Sequence, residues 1–439
     1  MKKFITTVKN IFSIEDLRIR ILNTVGLLIV FRVGSFVVLP GVDPSRLGEA
    51  ASGIFGLIDT FLGGSFSRAS IFGLGIMPYI SASIVLQLLT VGVPYFQKLQ
   101  KEGESGRKRI NQITRVLTIL ITFAQGIGYI TATIPDEAIV VESKVLFMVS
   151  SLILLTAGTM FCMWIGEKIT EKGIGNGISM LIMIGIISAL PGAIISESLS
   201  KGGGGILLLI LEAVVLFFVV VGVVALTEAV RRIPVQYAKQ VVGGKVYGGQ
   251  RQYIPIKVNA SGVMPIIFAQ SLMFLPALIA QIWAETSDIA SYIGTTFSDF
   301  TSWQYNLVFA VMIILFTFFY TAITVNPEQI AEDMKRNGGF VPGIKPGAPT
   351  SEFIDNIISR ITLPGSILLA LVAIMPAFAI IAGVSGEFAQ FYGGTSLLIM
   401  VGVILDTLRQ IESYLLMRHY EGMMKSGNMK NDPSSFAVA

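Results

Sequence analysis

Charged residues, and the residues that most often carry enzyme chemistry, are scarce in this sequence. Only 14% of its 439 residues are charged, whereas about a quarter are charged in an average soluble domain. It has one cysteine, Cys162, and one histidine, His419, which excludes an internal disulfide and leaves almost no material for histidine-based metal binding or catalysis. Neither a Walker motif nor a nucleophile–base arrangement occurs. We therefore expect no enzyme and no cofactor.

Apolar residues, by contrast, dominate the chain. They make up 53% of it, the mean hydropathy is +0.73, and runs of roughly 20 apolar residues can cross a bilayer as helices. These runs lack the alternation of period two that marks an outer-membrane barrel. The first run follows a basic segment but is too long for a signal peptide, so we expect a span there. The sequence predicts an all-α polytopic membrane protein with about ten spans, at residues 19–39, 71–93, 113–134, 145–165, 176–196, 205–226, 258–281, 304–325, 361–383 and 393–412.

The distribution of the 32 lysine and arginine residues predicts the orientation of the chain. If the N-terminus is cytosolic, most of them fall in cytosolic segments, and the outer side holds only Arg46, Arg68, Lys144 and Lys201. Such an excess on one side follows the positive-inside rule. We expect both termini in the cytosol and the membrane to be a bacterial plasma membrane, or one descended from it.

Two pairs of short segments repeat along the chain. Residues 75–83 (GIMPYISAS) match residues 262–270 (GVMPIIFAQ) at Gly, Met, Pro, Ile and Ala, and residues 177–182 (GISMLI) match residues 394–399 (GTSLLI). The first pair falls in the second and seventh spans, and the second pair in the fifth and tenth. Five spans per half would place the halves in opposite orientations, as in inverted repeats whose interrupted segments line a central pathway. We therefore expect all four segments to line one pore.

Branched apolar side chains in these segments predict a constriction in that pore. Ile80 and Ile84 are four residues apart and share a helix face, as do Ile178 and Ile182. An apolar collar near the membrane midplane excludes water and gives an ion nothing in exchange for its lost hydration. The repeats extend the expected collar to Ile267 and Ile399.

The segment between the first two spans, residues 53–70, is too short to cross the membrane and too apolar to float free. It could be an amphipathic helix lying in the membrane interface or a re-entrant segment folded into a cavity. The residues alone leave both alternatives open.

Ionisable residues are few within the spans, where Arg32 and Glu212 stand out, and we do not assume that they pair. This favours a gated conduit for polypeptides over an ion-coupled secondary transporter, which usually needs more charge at the midplane. A membrane scaffold without a conduit is the weaker third alternative.

Two long loops carry many of the basic residues. Residues 227–257 contain a turn at Gly243 and Gly244 between β-like stretches, so we expect a small hairpin. Residues 326–353 contain a tip stiffened by Pro342 and Pro346. Their charges are either ordinary positive-inside bias or a docking surface.

Several further motifs resemble those of the SecY family, the central subunits of bacterial protein-conducting channels. Together with residues 75–83, they are residues 64–72 (GSFSRASIF), 101–107 (KEGESGR), 170–179 (TEKGIGNGIS), 340–344 (FVPGI) and 393–399 (GGTSLLI). The resemblance implies an hourglass channel of two five-helix halves, residues 19–200 and 201–412. Cytosolic segments would flank them at residues 1–18 and 413–439.

The resemblance also implies roles for particular residues. The implied pore constriction consists of Ile80, Ile84, Ile178, Ile182, Ile267 and Ile399. A plug at about residues 54–70 would include Leu57, Ile58, Thr60, Phe61, Leu62, Gly63, Gly64 and Phe66. The lateral gate, through which signal sequences and membrane helices reach the lipid, would include Ser83, Gln87, Asn259 and Gln270.

The implied partners are the small subunits SecE and SecG, the SecA motor, the ribosome, nascent polypeptides with signal sequences, and lipids. No small-molecule substrate is implied. Docking on the two long loops would involve Lys239, Lys245, Arg251, Lys335, Arg336 and Lys345. Lys345 stands where the family usually has arginine, so the charge is kept but the planar fork of donors is lost.

Overall fold

A computed structural model describes most of the chain. The described residues are 14–47, 59–201, 205–237, 240–242, 245–247, 251–270, 272–273, 292, 296–297, 299 and 301–425.

Helices make up most of the described structure, and each predicted apolar run overlaps one within the residues that are described. The helices are α1 (Glu15–Gly34), α2 (Met77–Gly92), α3 (Pro94–Lys101), α4 (Glu104–Thr133), α5 (Lys144–Lys172), α6 (Gly177–Ser200), α7 (Ile206–Glu228), α8 (Trp303–Thr324), α9 (Pro327–Arg336), α10 (Ala348–Ile381), α11 (Gly386–Ala389) and α12 (Gly394–Lys425). A further helical stretch, the 264–270 helix, continues at residues 272–273.

Within the described residues, 7 helices are long and apolar enough to cross a membrane, or up to 8 if α2 and α3, which meet at a bend of 98°, form one span. Helix α7 buries only 6% of its most apolar window inside the protein, as expected of a helix surrounded by lipid. The chain is therefore a multi-pass membrane protein. The count of ten spans stays a prediction, because most of residues 274–300 lie outside the described part.

The sequence repeats coincide with the starts of helices. Gly75 and Gly262 have φ of +50° and +63°, and two residues later α2 and the 264–270 helix begin. Glycine adopts this left-handed conformation without steric cost. The proline that follows each repeated methionine, Pro78 or Pro265, occupies the first turn, where no backbone N–H is needed. The Gly-x-Met-Pro motif thus starts these helices, whereas the repeats alone suggested interrupted segments.

The two long loops are joined by a small β-sheet that the sequence did not predict. Strand β1 (Val230–Tyr237) lies between β4 (Arg251–Lys257) and β5 (Gly339–Phe340), antiparallel to both. The predicted hairpin is confirmed as β2 (Gln240–Val242) paired with β3 (Lys245–Tyr247).

A separate apolar core lies beneath this sheet. It is formed by Ile233, Val235, Ile256, Met334, Val341, Ile354 and Ile358. Because these residues come from β1, β4, α9, α10 and the segment after β5, the loops at residues 227–257 and 326–353 form one unit.

Candidate functional site

Isoleucines from both halves of the chain meet in one apolar cluster. Ile182 of α6 and Ile399 of α12 are 9% and 4% exposed and belong to its buried part. Ile80, Ile178 and Ile267 are partly buried and pack against it. This cluster therefore draws on α2, α6, α12 and the 264–270 helix.

Ile84, the sixth predicted constriction residue, is half-buried one turn further along α2. It is not among the residues of that cluster. The cluster brings five of the six predicted side chains together, and their role in a pore stays a prediction.

The predicted plug folds into the protein rather than lying on its surface. Residues 59–62 form a helical turn, followed by turns through residue 69. The Asp59 carboxylate accepts hydrogen bonds from the backbone N–H groups of Phe66 and Ser67, both at 3.0 Å. Phe61 and Leu62 are buried, and Phe61 belongs to the same apolar cluster as Ile182. This arrangement fits the re-entrant alternative. Leu57 and Ile58 lie outside the described residues.

Close backbone contact holds the plug against α6. A Cβ atom built on Gly185 would lie 2.2 Å from the carbonyl oxygen of Phe61. A Cβ atom on Gly63 would lie 2.6 Å from Arg32 Nη1 and from Ser188 Oγ. Only glycine fits at either position without displacing its neighbours.

Hydrogen bonds from α1 and α4 also reach the plug. Arg32 Nη1 donates to the carbonyl oxygen of Gly63 at 2.7 Å, and Tyr129 Oη donates to that of Phe66 at 2.7 Å. Arg32 therefore does not pair with Glu212. The partly buried guanidinium of Arg32 instead stabilises the plug backbone through this hydrogen bond.

The other side of the plug contacts the second half of the chain. Thr60 Oγ1 donates to Oε1 of Gln390, whose side chain is buried. Thr395 Oγ1, five residues later, donates to Oε1 of Gln270 in the 264–270 helix. A cavity of about 50 Å³ lies among these four side chains and Asn306 of α8. Of these polar residues, Thr60 and Gln270 were predicted to be site residues. Gln390 was missed, and Thr395 was expected only as part of the pore-lining segment 394–399, because the partners of both are distant in sequence.

The predicted gate residues bond on their own sides of the proposed opening. Gln87 Nε2 donates to Ser83 Oγ at 3.5 Å along α2. Asn259 is buried, and its Oδ1 accepts from Ser261 Oγ at 3.3 Å. With Gln270 bonded to Thr395, the described hydrogen bonds of these four residues do not cross between α2 and the 264–270 helix.

A buried ionic cluster, which sequence reasoning also missed, joins α6, α7 and the loop after α10. Lys201 Nζ lies 2.8 Å from Oε1 of Glu197 and also pairs with Glu212. Oε2 of Glu197 accepts from the backbone N–H of Ser385 at 2.8 Å. Glu197 is 1% exposed. The spacing of four residues between Glu197 and Lys201 was the available signal for this pair.

Basic side chains project from the sheet unit. Lys335 and Arg336 are exposed in the last turn of α9, and Lys345 is exposed in the turn after β5. The backbone oxygen of Lys345 accepts from Thr350 Oγ1 at 2.8 Å, which fixes that turn. Lys245 and Arg251 are described only as members of β3 and β4, and Lys239 lies outside the described residues.

Comparison with known proteins gives one consistent family. A family model described as SecY matches residues 70–408. The chain is 41% identical over 443 residues to the protein translocase subunit SecY of Streptomyces coelicolor, covering 96% of this chain and 100% of that protein. It is 40% identical over 447 residues to the corresponding subunit of Mycobacterium tuberculosis, covering 97% of this chain and 100% of that protein.

Solved structures show the same fold at lower sequence identity. A protein-conducting channel matches with a TM-score of 0.66 and 16% identity, covering 94% of this chain and 95% of that one. Sec61 in a canine ribosome–channel complex from the endoplasmic reticulum matches with a TM-score of 0.62 and 16% identity, at the same coverage. The predicted fold class is thereby confirmed.

Proposed function

Because this chain belongs to the SecY family, we propose that it forms a channel through which unfolded secretory polypeptides cross a membrane. We also propose that transmembrane segments leave it sideways into the lipid. The observation that best supports this proposal is the shared cluster of Ile182, Ile399 and Phe61. In it, side chains from both halves of the chain and from the plug meet in one apolar contact.

The proposed mechanism is physical rather than chemical. An apolar constriction is dewetted, so it opposes ions, and an ion inside it finds no ligand to replace its hydration. A ring of aliphatic side chains also imposes no fixed ligand geometry, so it can deform around polypeptides of many shapes. The plug adds a second seal by filling the space beside Ile182 and Gly185. Such a channel needs no covalent chemistry, and we assign it none.

Transport through a passive channel needs an external source of energy. We propose that a SecA motor or a ribosome supplies it by docking on the sheet unit, where Lys335, Arg336 and Lys345 are exposed. Ribosome docking is supported by the structural likeness to Sec61 in a ribosome–channel complex. SecE and SecG are the proposed small subunits, in a bacterial plasma membrane with both chain termini in the cytosol.

Reconstitution tests this proposal. The full chain, purified with its membrane subunits and placed in vesicles with the motor and ATP, should move a signal-bearing precursor into the protease-protected interior. Vesicles lacking this chain are the control. Accumulation of a small solute driven by an ion gradient, without protection of the precursor, would contradict the channel and favour a secondary transporter.

A further inference from the structure

Two hydrogen bonds from different parts of the proposed channel converge on one short segment, residues 390–396. At its start, Gln390 accepts from Thr60 of the plug. Near its end, Thr395 donates to Gln270 of the 264–270 helix. The segment thus contacts both the plug and the helix assigned above to the gate, and we call it the latch segment.

The latch segment is itself held firmly. Ser396 Oγ donates to the backbone oxygens of Gln390, at 2.6 Å, and of Gly393, at 3.3 Å. A Cβ atom on Gly393 would lie 2.4 Å from the carbonyl oxygen of Val372, so the segment packs directly on the backbone of α10. A segment braced in this way can position the side chains that bond to it.

The cavity of about 50 Å³ gives these side chains room to change partners. It is lined by Thr60, Gln270, Gln390 and Thr395. In a close-packed interior, rotation of an amide would require its neighbours to move. Here Gln390 and Gln270 adjoin open space. Most of its walls are apolar, but the polar side chains named above can hold water that satisfies the two amides after rotation.

We propose that Gln390 and Thr395 are positioning residues that couple the plug to the gate. With the 264–270 helix in its present position, Gln270 bonds to Thr395 and Gln390 holds Thr60, so the plug stays seated. Displacement of that helix withdraws Gln270, which lets the side chains of Thr395 and Gln390 turn into the cavity and loosens the plug. This proposal rests on the proposed channel function and adds the residues that connect its two seals.

The test measures ion conductance of the purified full complex in planar bilayers, without substrate. Thr60→Val and Gln390→Met each remove one partner of the plug bond while keeping the side-chain shape. Loss of this partly buried hydrogen bond should raise the resting conductance about tenfold. Thr60→Ser, which keeps the hydroxyl, should restore the low conductance of the unmodified protein.

Thr118→Val is the matched control. Its hydroxyl is buried more deeply than that of Thr60, but it donates to the carbonyl oxygen of Thr114 in its own helix and does not reach the plug, so conductance should stay low. The plug bond is refuted if Thr60→Val and Gln390→Met leak no more than Thr118→Val.

Double-mutant cycles then test the coupling itself. Thr60→Val combined with Gln390→Met should leak no more than either single variant. Thr395→Val should also raise the conductance, and with Thr60→Val the effect should be smaller than the product of the two. A simple product would show that plug and gate are independent and would overturn the proposal.

In addition to the conductance measurement, the variants are assayed for translocation in vesicles in which the unmodified complex moves a precursor. Failure of the unmodified complex refutes the channel, whereas failure of the cycles alone refutes only the coupling. A second readout is translocation of a precursor with a defective signal sequence. Thr60→Val should admit it and Thr60→Ser should not, with an intact precursor moving equally in both.

Discussion

The carbonyl oxygen of Phe61 lies directly against the backbone of Gly185, at a point where a Cβ atom would approach it to 2.2 Å. This contact joins the plug to the middle of α6 without an intervening side chain. Since real Cβ atoms do not approach a backbone oxygen so closely, the seating of the plug depends on glycine at this position.

Replacing Gly185 should therefore unseat the plug. In Gly185→Ala the methyl group must push the Phe61 backbone away, and overpacking of this kind costs about 1–3 kcal/mol. We expect the resting ion leak of reconstituted vesicles to rise about tenfold or more. Gly192→Ala is the matched control on the same helix, because a Cβ atom there meets nothing within 4 Å. Equal leaks from the two variants would show that the plug does not rest on Gly185.

Charge in the apolar cluster should weaken the barrier to ions. Ile80→Asp combined with Ile267→Asp places carboxylates against the apolar cluster that contains Ile182 and Ile399, and a charge draws water into a dewetted constriction. Ion leak should rise, and precursors with defective signal sequences should be admitted. Ile80→Leu with Ile267→Leu conserves volume and should change neither. Unchanged leak in the aspartate variant would remove these two residues from the constriction.

The buried ionic cluster should contribute strongly to stability. Lys201→Met leaves Glu197, which is 1% exposed, and Glu212 without their shared cation. Removing one partner of a buried pair costs about 3–5 kcal/mol, so the midpoint of thermal unfolding in detergent should fall. Adding Glu197→Gln and Glu212→Gln should recover much of the loss, because no uncompensated charge remains.

An exposed ion pair provides the contrast. Lys144 pairs with Asp136, and their side chains are 68% and 76% exposed. Lys144→Met should cost at most about 1 kcal/mol. If it lowered the midpoint as much as Lys201→Met does, the buried cluster would have no special role.

We expect the side chain of Lys345, at the tip after β5, to contribute to docking of the motor. Lys345 is exposed and its turn is fixed by Thr350. Lys345→Gln should lower motor-driven translocation, and Lys345→Arg should equal or exceed the unmodified protein because the guanidinium can bond in a bidentate way. Lys144→Gln, which changes an exposed lysine at the start of α5, is the control. Equal rates in all of these proteins would exclude Lys345 from docking.

The helices were largely predictable from the sequence, although the points at which α2 and the 264–270 helix begin were not. Gly75 and Gly262 precede helix starts that recur in the two halves, and long apolar runs admit few alternatives to helices in a membrane. The apolar cluster was predictable in part, because i,i+4 spacing places Ile178 and Ile182 on one face.

Contacts between distant segments could not be read from local patterns. Thr60 and Gln390 are 330 residues apart, and neither has a neighbour in sequence that indicates its partner.

The sheet was missed because both of its longer strands contain a proline. Pro234 and Pro255 lie within β1 and β4, and proline within a run argues against a strand. Tertiary packing on Met334 and Ile354 stabilises these strands in spite of their sequence.

Site-specific photo-crosslinking to a stalled polypeptide tests the central claim most directly. A photoreactive residue replaces Ile182 or Ile399, which are buried in the apolar cluster, or Leu207 of α7, which is 80% exposed. With a precursor arrested halfway, Ile182 and Ile399 should crosslink to the precursor and Leu207 to lipid or membrane subunits. Crosslinks from Leu207 to the precursor, with none from Ile182 and Ile399, would place the polypeptide path elsewhere and contradict the account.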